Sequence, residues 1–275
     1  MKTFYKTIVL SDIHLGTKAS KAKEVLHFLK HHKCETLLLN GDIIDGWQLR
    51  KNGKWTKQHS NFFKHIIGLT SKNKCKIIYL RGNHDDFLEE IMPLKIGNFS
   101  IRKYYVHFGV HKKYFVTHGD IFDNITTQLK WIAKLGDVGY TFLLWLNRHY
   151  NAYREKRGLP YFSLSQMVKA KVKSAVSFIS DYENELVKVA KSRRCQGIIC
   201  GHIHQPAIKE ISGIEYLNSG DWVESLTALV ETNEGEWKII HYQHWLEEHE
   251  RMKQLKKDSA LQSILPHGVV VNPTT

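Results

Sequence analysis

Five short apolar runs punctuate the chain, and each gives way at once to polar residues. They are KTIVLSDIH (6–14), ETLLLNGDIID (35–45), KIIYLRGNHDD (76–86), KYFVTHGD (113–120) and QGIICGHIH (196–204). Runs of this length with Val, Ile and Tyr read as strands. Between the first three lie segments of helical period. One carries Val25, Leu26, Phe28 and Leu29; the other carries Phe62, Phe63, Ile66, Ile67 and Leu69. Strand, helix, strand, helix, strand predicts βαβ units around a largely parallel core, buried on both faces. The later runs GIEYLNSGDW, SLTALVET and EWKIIHYQHW are joined by short turns containing Gly and are expected to form antiparallel strands of a second sheet. Two sheets flanked by helices predict an α/β fold of the αββα sandwich type. A helical stretch of about 125–192 is too long for an ordinary connection and reads as an insertion. The expected division is a main domain over 1–245 and a C-terminal tail over 246–275 that begins with the charge-mixed helix EEHERMKQLKKDS.

Composition refines this picture. Apolar residues make up 42% and charged residues 24% of 275, which favours a packed core over disorder. Cys34, Cys75, Cys195 and Cys200 form no CxxC pair and are expected as reduced, buried thiols. The N-terminal MKTFYKTIVLSDIHLG enters an apolar strand without a cleavable apolar region, and the longest apolar run, VGYTFLLWL (138–146), is too short to cross a bilayer. The expected location is the cytoplasm, peripheral on the inner membrane. The net charge of +13 points to an anionic partner: a phosphorylated substrate, an anionic membrane surface or, less favoured, nucleic acid.

The polar residues that end the strands carry the chemistry. They are Asp12 and His14; Asp42 and Asp45; Asn83, His84 and Asp85; His118; His202 and His204. Ligands of parallel α/β sheets bind outside the carboxyl ends of the strands, so these clusters are expected to converge. A mixture of carboxylate, imidazole and amide suits Mn, Fe or Zn, with Mn favoured. The ligands outnumber the needs of one ion, and two ions a few Å apart are the arrangement used for phosphoester hydrolysis. Asp45 and Asp85 are open between a direct role and capping or orienting a neighbour. His27, His31, His32, His59 and His65 are expected at the surface.

DIH, GDIID, GNHD, THGD and GHIH, in this order, resemble the calcineurin-like metallophosphoesterases over about residues 6–245. The resemblance implies that Asp12, His14, Asp42 and His204 hold one metal. Asp42 bridges to a second, completed by Asn83, His118 and His202. His84 then contacts a phosphate oxygen and protonates the leaving group, partnered by Asp85 or a nearby carbonyl. SDIHLG, GDIIDGW, VTHGDIFD, GHIHQPA and YLNSGDWVE are most similar to the UDP-2,3-diacylglucosamine pyrophosphatases of lipid A synthesis and their paralogues. Those lipid A enzymes typically carry Arg where this chain has His84.

The insertion is expected to select the substrate. Residues 125–195 hold 13 Lys/Arg against 5 Asp/Glu. Apolar positions at helical period combined with basic ones suit acyl chains beside an anionic bilayer. Phe142, Leu143, Leu146, Arg148 and Arg154 are the expected substrate contacts. An ordinary helical cap is the alternative, and RHYNAYREKRG (148–158) also suits base stacking.

Overall fold

The computed structural model describes residues 3–72, 75–122, 149–151, 153–159 and 164–264. Strands β1 (Thr3–Leu10), β2 (His32–Asn40) and β3 (Lys76–Leu80) alternate with helices α1 (Ala22–His31), α2 (Gly46–Lys51) and α3 (Lys57–Lys72). Then follow β4 (Leu94–Ile96), β5 (Phe99–Arg102), β6 (Tyr105–Phe108), β7 (Lys113–Val116), α4 (Leu164–Ser192), β8 (Gly197–Cys200), β9 (Ala207–Ile211), β10 (Ile214–Asn218), β11 (Thr227–Glu231), β12 (Trp237–His241) and α5 (Tyr242–Ile264).

These strands form a seven-stranded sheet, β12-β11-β1-β2-β3-β5-β4, and a five-stranded sheet, β6-β7-β8-β10-β9. The two-residue period of a strand distributes the core into three layers. Val9, Leu38 and Ile78 point from the first sheet toward Val116, Ile199 and Leu217 of the second. Their neighbours Ile8, Leu10, Leu37, Leu39, Ile77 and Tyr79 point outward and pack with Val25 and Phe28 of α1 and with Phe62 and Ile66 of α3. On the far side, Phe115, Ile198 and Tyr216 meet Phe178, Tyr182, Leu186 and Ala190 of α4. The order is helix, sheet, sheet, helix, the expected αββα sandwich. Each fully buried Leu contributes about 2 kcal/mol by removal from water.

Helix α1 shows how the pattern becomes structure. Ala22, Val25, Leu26, Phe28 and Leu29 are buried and make one apolar stripe, while Lys30 and His31 occupy its last turn, where cations favour the helix dipole.

The sheet assignment departs from the expectation in one respect. β11 and β12 belong to the first sheet, and only β10 of the three later runs joins the second, where it is parallel to β8. β11 pairs antiparallel with β1 through Thr7↔Glu231, Ile8↔Val230 and Val9↔Leu229. Every residue of β11 is buried, so its hydropathy suits either sheet. Hydrogen-bond pairing to the free edge of β1 decides between them. The ligand-bearing strand ends therefore come from two sheets, β1, β2 and β3 from one and β7 and β8 from the other.

Helix α5 begins at Tyr242 and runs through residue 246 without a break. Its first turns pack Tyr242, Trp245 and Leu246 on the core. Trp245 also meets His27, His31, His32 and His249. His32 and His59 are buried, contrary to the surface expectation. His32 sits where α1 turns into β2, and its ring stacks on Phe28. All four cysteines are buried and free. Among the described residues, no helix is long and apolar enough to cross a membrane.

Candidate active site

The strands stop two or three residues before the first nominated side chain of each cluster, so these side chains stand on loops. Backbone hydrogen bonds tie these loops together. The Asp12 amide donates to Gly41 O at 3.0 Å, His14 N to Asp42 O at 2.9 Å, and Gly201 N to His118 O at 3.0 Å. Asp12, His14, Asp42, His202 and His204 all adopt left-handed backbone, with φ between 51° and 68°. They are five of the eight non-glycine residues with positive φ among the described residues. Asp and His tolerate this region better than most side chains, but each such residue costs on the order of 1 kcal/mol. Concentrated strain of this kind marks functional loops. At Gly82 a Cβ would collide with the Asp42 carboxylate, so the GNHD turn approaches Asp42 as only glycine permits.

Two groups of ligand atoms result, Asp12/His14/His204 and Asp42/His118/His202, each with atoms within 4.8 Å of one another. A third, His14/Asp45/His84, adjoins the first. Asp42 stands between them. Its Oδ2 is 3.3 Å from Nε2 of His118 and 3.9 Å from Nε2 of both His14 and His84, and its Oδ1 accepts the His84 amide at 2.8 Å. Asp12 Oδ1 lies 3.3 Å from His204 Nε2 and 4.0 Å from Nε2 of His14 and His118.

The donor set fits divalent cations. Nε2 of His14 and Oδ1 of Asn83 are buried and have no hydrogen-bond partner, an expensive state for polar atoms unless a ligand takes them up. The opposite ring nitrogens are anchored. His118 Nδ1 donates to Asn40 O at 2.9 Å, and His14 Nδ1 is 3.3 Å from Asp45 Oδ2. Both histidines thus turn Nε2 inward, as metal-binding imidazoles do.

The protonation balance agrees. Burial alone would raise the Asp12 carboxyl, but His118 and His204 outweigh it and hold it at about 2. The Asp42 carboxyl is lowered further by His118, His14 and His84 against the same burial. Burial would lower His204, yet Asp12 raises it to about 9, and His118 is raised well above its usual range by Asp42 and Asp12. The carboxylates thus draw positive charge into the site, as protons or as metal, and a cation that binds there displaces protons.

Asp45 caps a helix and faces two of the histidines. Its Oδ1 accepts the Gln48 amide at 2.8 Å and caps α2, while its Oδ2 faces Nδ1 of His14 at 3.3 Å and Nδ1 of His84 at 3.1 Å. Asp85 or a nearby carbonyl was the expected partner of His84, and the Asp45 carboxylate faces its Nδ1. The Asp85 carboxylate accepts the amides of Gly82 and Ile43 and the hydroxyl of Tyr79. Burial raises it to about 6, with Asp42 adding to the rise. The His84 ring is held edge-on to His14 at 4.6 Å and against Trp47 at 4.3 Å.

Two contributors were missed in the sequence. Trp47 had a signal, since it closes the GDIIDGW run. Asp221 lies 4.0 Å from His204 Nδ1 and caps its loop by accepting the amides of Val223 and Glu224. It had a signal, since NSGDW repeats the strand–Gly–Asp pattern of NGDII.

A cleft of about 850 Å³ opens above these groups, lined by His14, Asp42, Asp45, Asn83, His84, His202 and His204 and continuing along the 16–19 and 52–56 loops. Arg154 does not line it; its guanidinium lies 5.6 Å above the Tyr150 ring. Phe142, Leu143, Leu146 and Arg148 lie outside the described residues.

Residues 5–206 match the calcineurin-like phosphoesterase family, and the chain belongs to that family. It is a metal-dependent phosphoester hydrolase, and the family is dinuclear. A UDP-2,3-diacylglucosamine hydrolase of Shewanella piezotolerans is 23% identical over 228 residues, covering 80% of this chain and 91% of its own. Among solved structures, an archaeal phosphodiesterase is similar at a TM-score of 0.44 and 15% identity, covering 85% of this chain and 98% of its own. Vps29 of Entamoeba histolytica, complexed with zinc, is similar at 0.39 and 15%, covering 85% and 89%.

Proposed function

We propose that two divalent ions, Mn favoured and Fe or Zn next, are held by Asp12, His14, Asp42 and His204 and by Asp42, Asn83, His118 and His202. The observation that carries this reading is the Asp42 carboxylate, which faces both groups at once. When bound, such ions supply the charge that activates water and neutralises phosphoryl oxygens.

The chain's own groups do the rest. Nδ1 of His84 faces Asp45, so Nε2 is presented toward Asp42 and the cleft. From there it donates a proton to the departing oxygen as the P–O bond breaks. The oxygen of water ends on one phosphoryl product and the proton on the other, with no covalent enzyme intermediate.

The preferred substrate is UDP-2,3-diacylglucosamine, cleaved at its diphosphate to UMP and the lipid-linked monophosphate, lipid X. The Shewanella relative's activity and the basic, apolar composition of the insertion support this reading, as they do peripheral contact with an anionic membrane. A second reading, another phosphodiester or a nucleic acid, is favoured by His84, where the lipid A enzymes typically carry Arg. A panel assay decides between them. Purified metal-loaded protein is given UDP-2,3-diacylglucosamine, bis(p-nitrophenyl) phosphate and short single-stranded nucleic acids. Preference for the first by kcat/KM supports the lipid reading, and turnover of only the others overturns it.

A further inference from the structure

The cleft is longer than the metal groups need. Beyond His14 it runs between two loops, one carrying Gly16, Thr17, Lys18 and Ala19, the other Asn52, Gly53, Lys54 and Thr56. Lys18 and Lys54 are its cationic side chains outside the histidines, among the described lining residues. Neither ammonium has a carboxylate within 4 Å among the described residues, so both are open to an anion in the cleft. The loops hold a set spacing. The Lys54 amide donates to Gly16 O at 3.2 Å, and Gly53 packs so closely on Gly16 O and Gln48 that a Cβ there would clash. The 16–19 loop is in turn tied to the metal groups, because the Thr17 hydroxyl donates to His14 O at 3.0 Å. Two unpaired cations thus line the same cleft as the metal groups, among neutral polar groups such as Gln48, Asn52 and Thr56.

We propose that Lys18 and Lys54 form a second anion subsite that takes the phosphoryl group adjacent to the scissile one, making the cleft selective for diphosphate diesters over single-phosphate esters. This rests on the reading of the cleft as the phosphoester site and does not require an acylated substrate. Two partly screened ion pairs are together worth about tenfold or more in affinity.

The test is calorimetric binding of UMP and UDP to the Mn-loaded protein, in excess Mn, for the wild type and for Lys18→Gln/Lys54→Gln. The wild type is expected to bind UDP at least about tenfold more tightly than UMP. In the double variant that ratio is expected to fall to within about threefold, with each single variant between. Chelation by UDP is the same in both sets of titrations and cancels, and any loss of folded protein lowers both nucleotides together and leaves the ratio in place. An undiminished ratio in the double variant, or no preference for UDP in the wild type, overturns the subsite. A collapsed ratio in a protein that does not cleave UDP-2,3-diacylglucosamine upholds the subsite and removes the lipid reading instead.

Discussion

The Asp45 carboxylate lies 3.1 Å from Nδ1 of His84 while its other oxygen caps helix α2 through the Gln48 amide at 2.8 Å. One side chain thus fixes both the helix that follows GDIID and the ring that faces the cleft. Asp45→Asn separates these duties, because Asn caps a helix about as well as Asp but lacks the charge that orients His14 and His84. The expected result is a change in stability within about 0.5 kcal/mol and a loss of kcat of about 10- to 100-fold, the range for removing a partner of a ligand. Thermal unfolding and hydrolysis of bis(p-nitrophenyl) phosphate measure the two. Unaltered kcat would assign Asp45 to the cap alone.

His84 is expected to act as a proton donor. His84→Gln should keep its metal and lose turnover by ~10²–10⁴-fold on an ester with a poor leaving group. The loss should be much smaller with p-nitrophenolate, which leaves without a proton. An equal loss on both would show that His84 positions the phosphate and donates nothing.

The approach of Gly82 to Asp42 predicts that Gly82→Ala disturbs the site out of proportion to its size. The added methyl meets the Asp42 carboxylate and amide, so the turn must shift. Metal content per folded chain should fall, while Gly68→Ala, with open space around its Cα and ordinary helical backbone, should leave it unchanged. Elemental analysis after gel filtration distinguishes the two.

Acid should weaken the fold through His32. Burial lowers its pKa to about 4, although its hydrogen bond to Phe28 O opposes the shift. In the unfolded chain its value returns to about 6.5, so the unfolded state takes up the proton first. Neutral His32 therefore contributes fully above pH 6.5, and stability falls as the pH drops from 6.5 toward 4, by at most about 3 kcal/mol. Urea midpoints at pH 7.5 and 5 should differ more for the wild type than for His32→Gln. Identical differences would place the acid sensitivity elsewhere.

Much of this was legible in the sequence because buried parallel strands write themselves as apolar runs, and their ends as abrupt polar clusters. Asp12, His14, Asp42, Asn83, His118, His202 and His204 stand together as those clusters foretold. Three things were not legible. The membership of β11 in the first sheet rests on hydrogen-bond pairing, which an all-buried strand does not encode. The partner of His84 rests on the direction of the turn after Gly82, which sends Asp85 to the Ile43 and Gly82 amides and leaves Asp45 in reach. The burial of His32 depends on Trp245, more than 200 residues away, folding back across α1.

The bridging position of Asp42 is tested most directly by counting metal ions. Elemental analysis of the wild type and of Asp42→Asn, each shown to be folded by circular dichroism, should find two divalent ions per chain in the first and at most one in the second. Hydrolysis of bis(p-nitrophenyl) phosphate should fall with them by more than ~100-fold. A folded Asp42→Asn protein that keeps two ions and the wild-type rate would contradict the two-metal account.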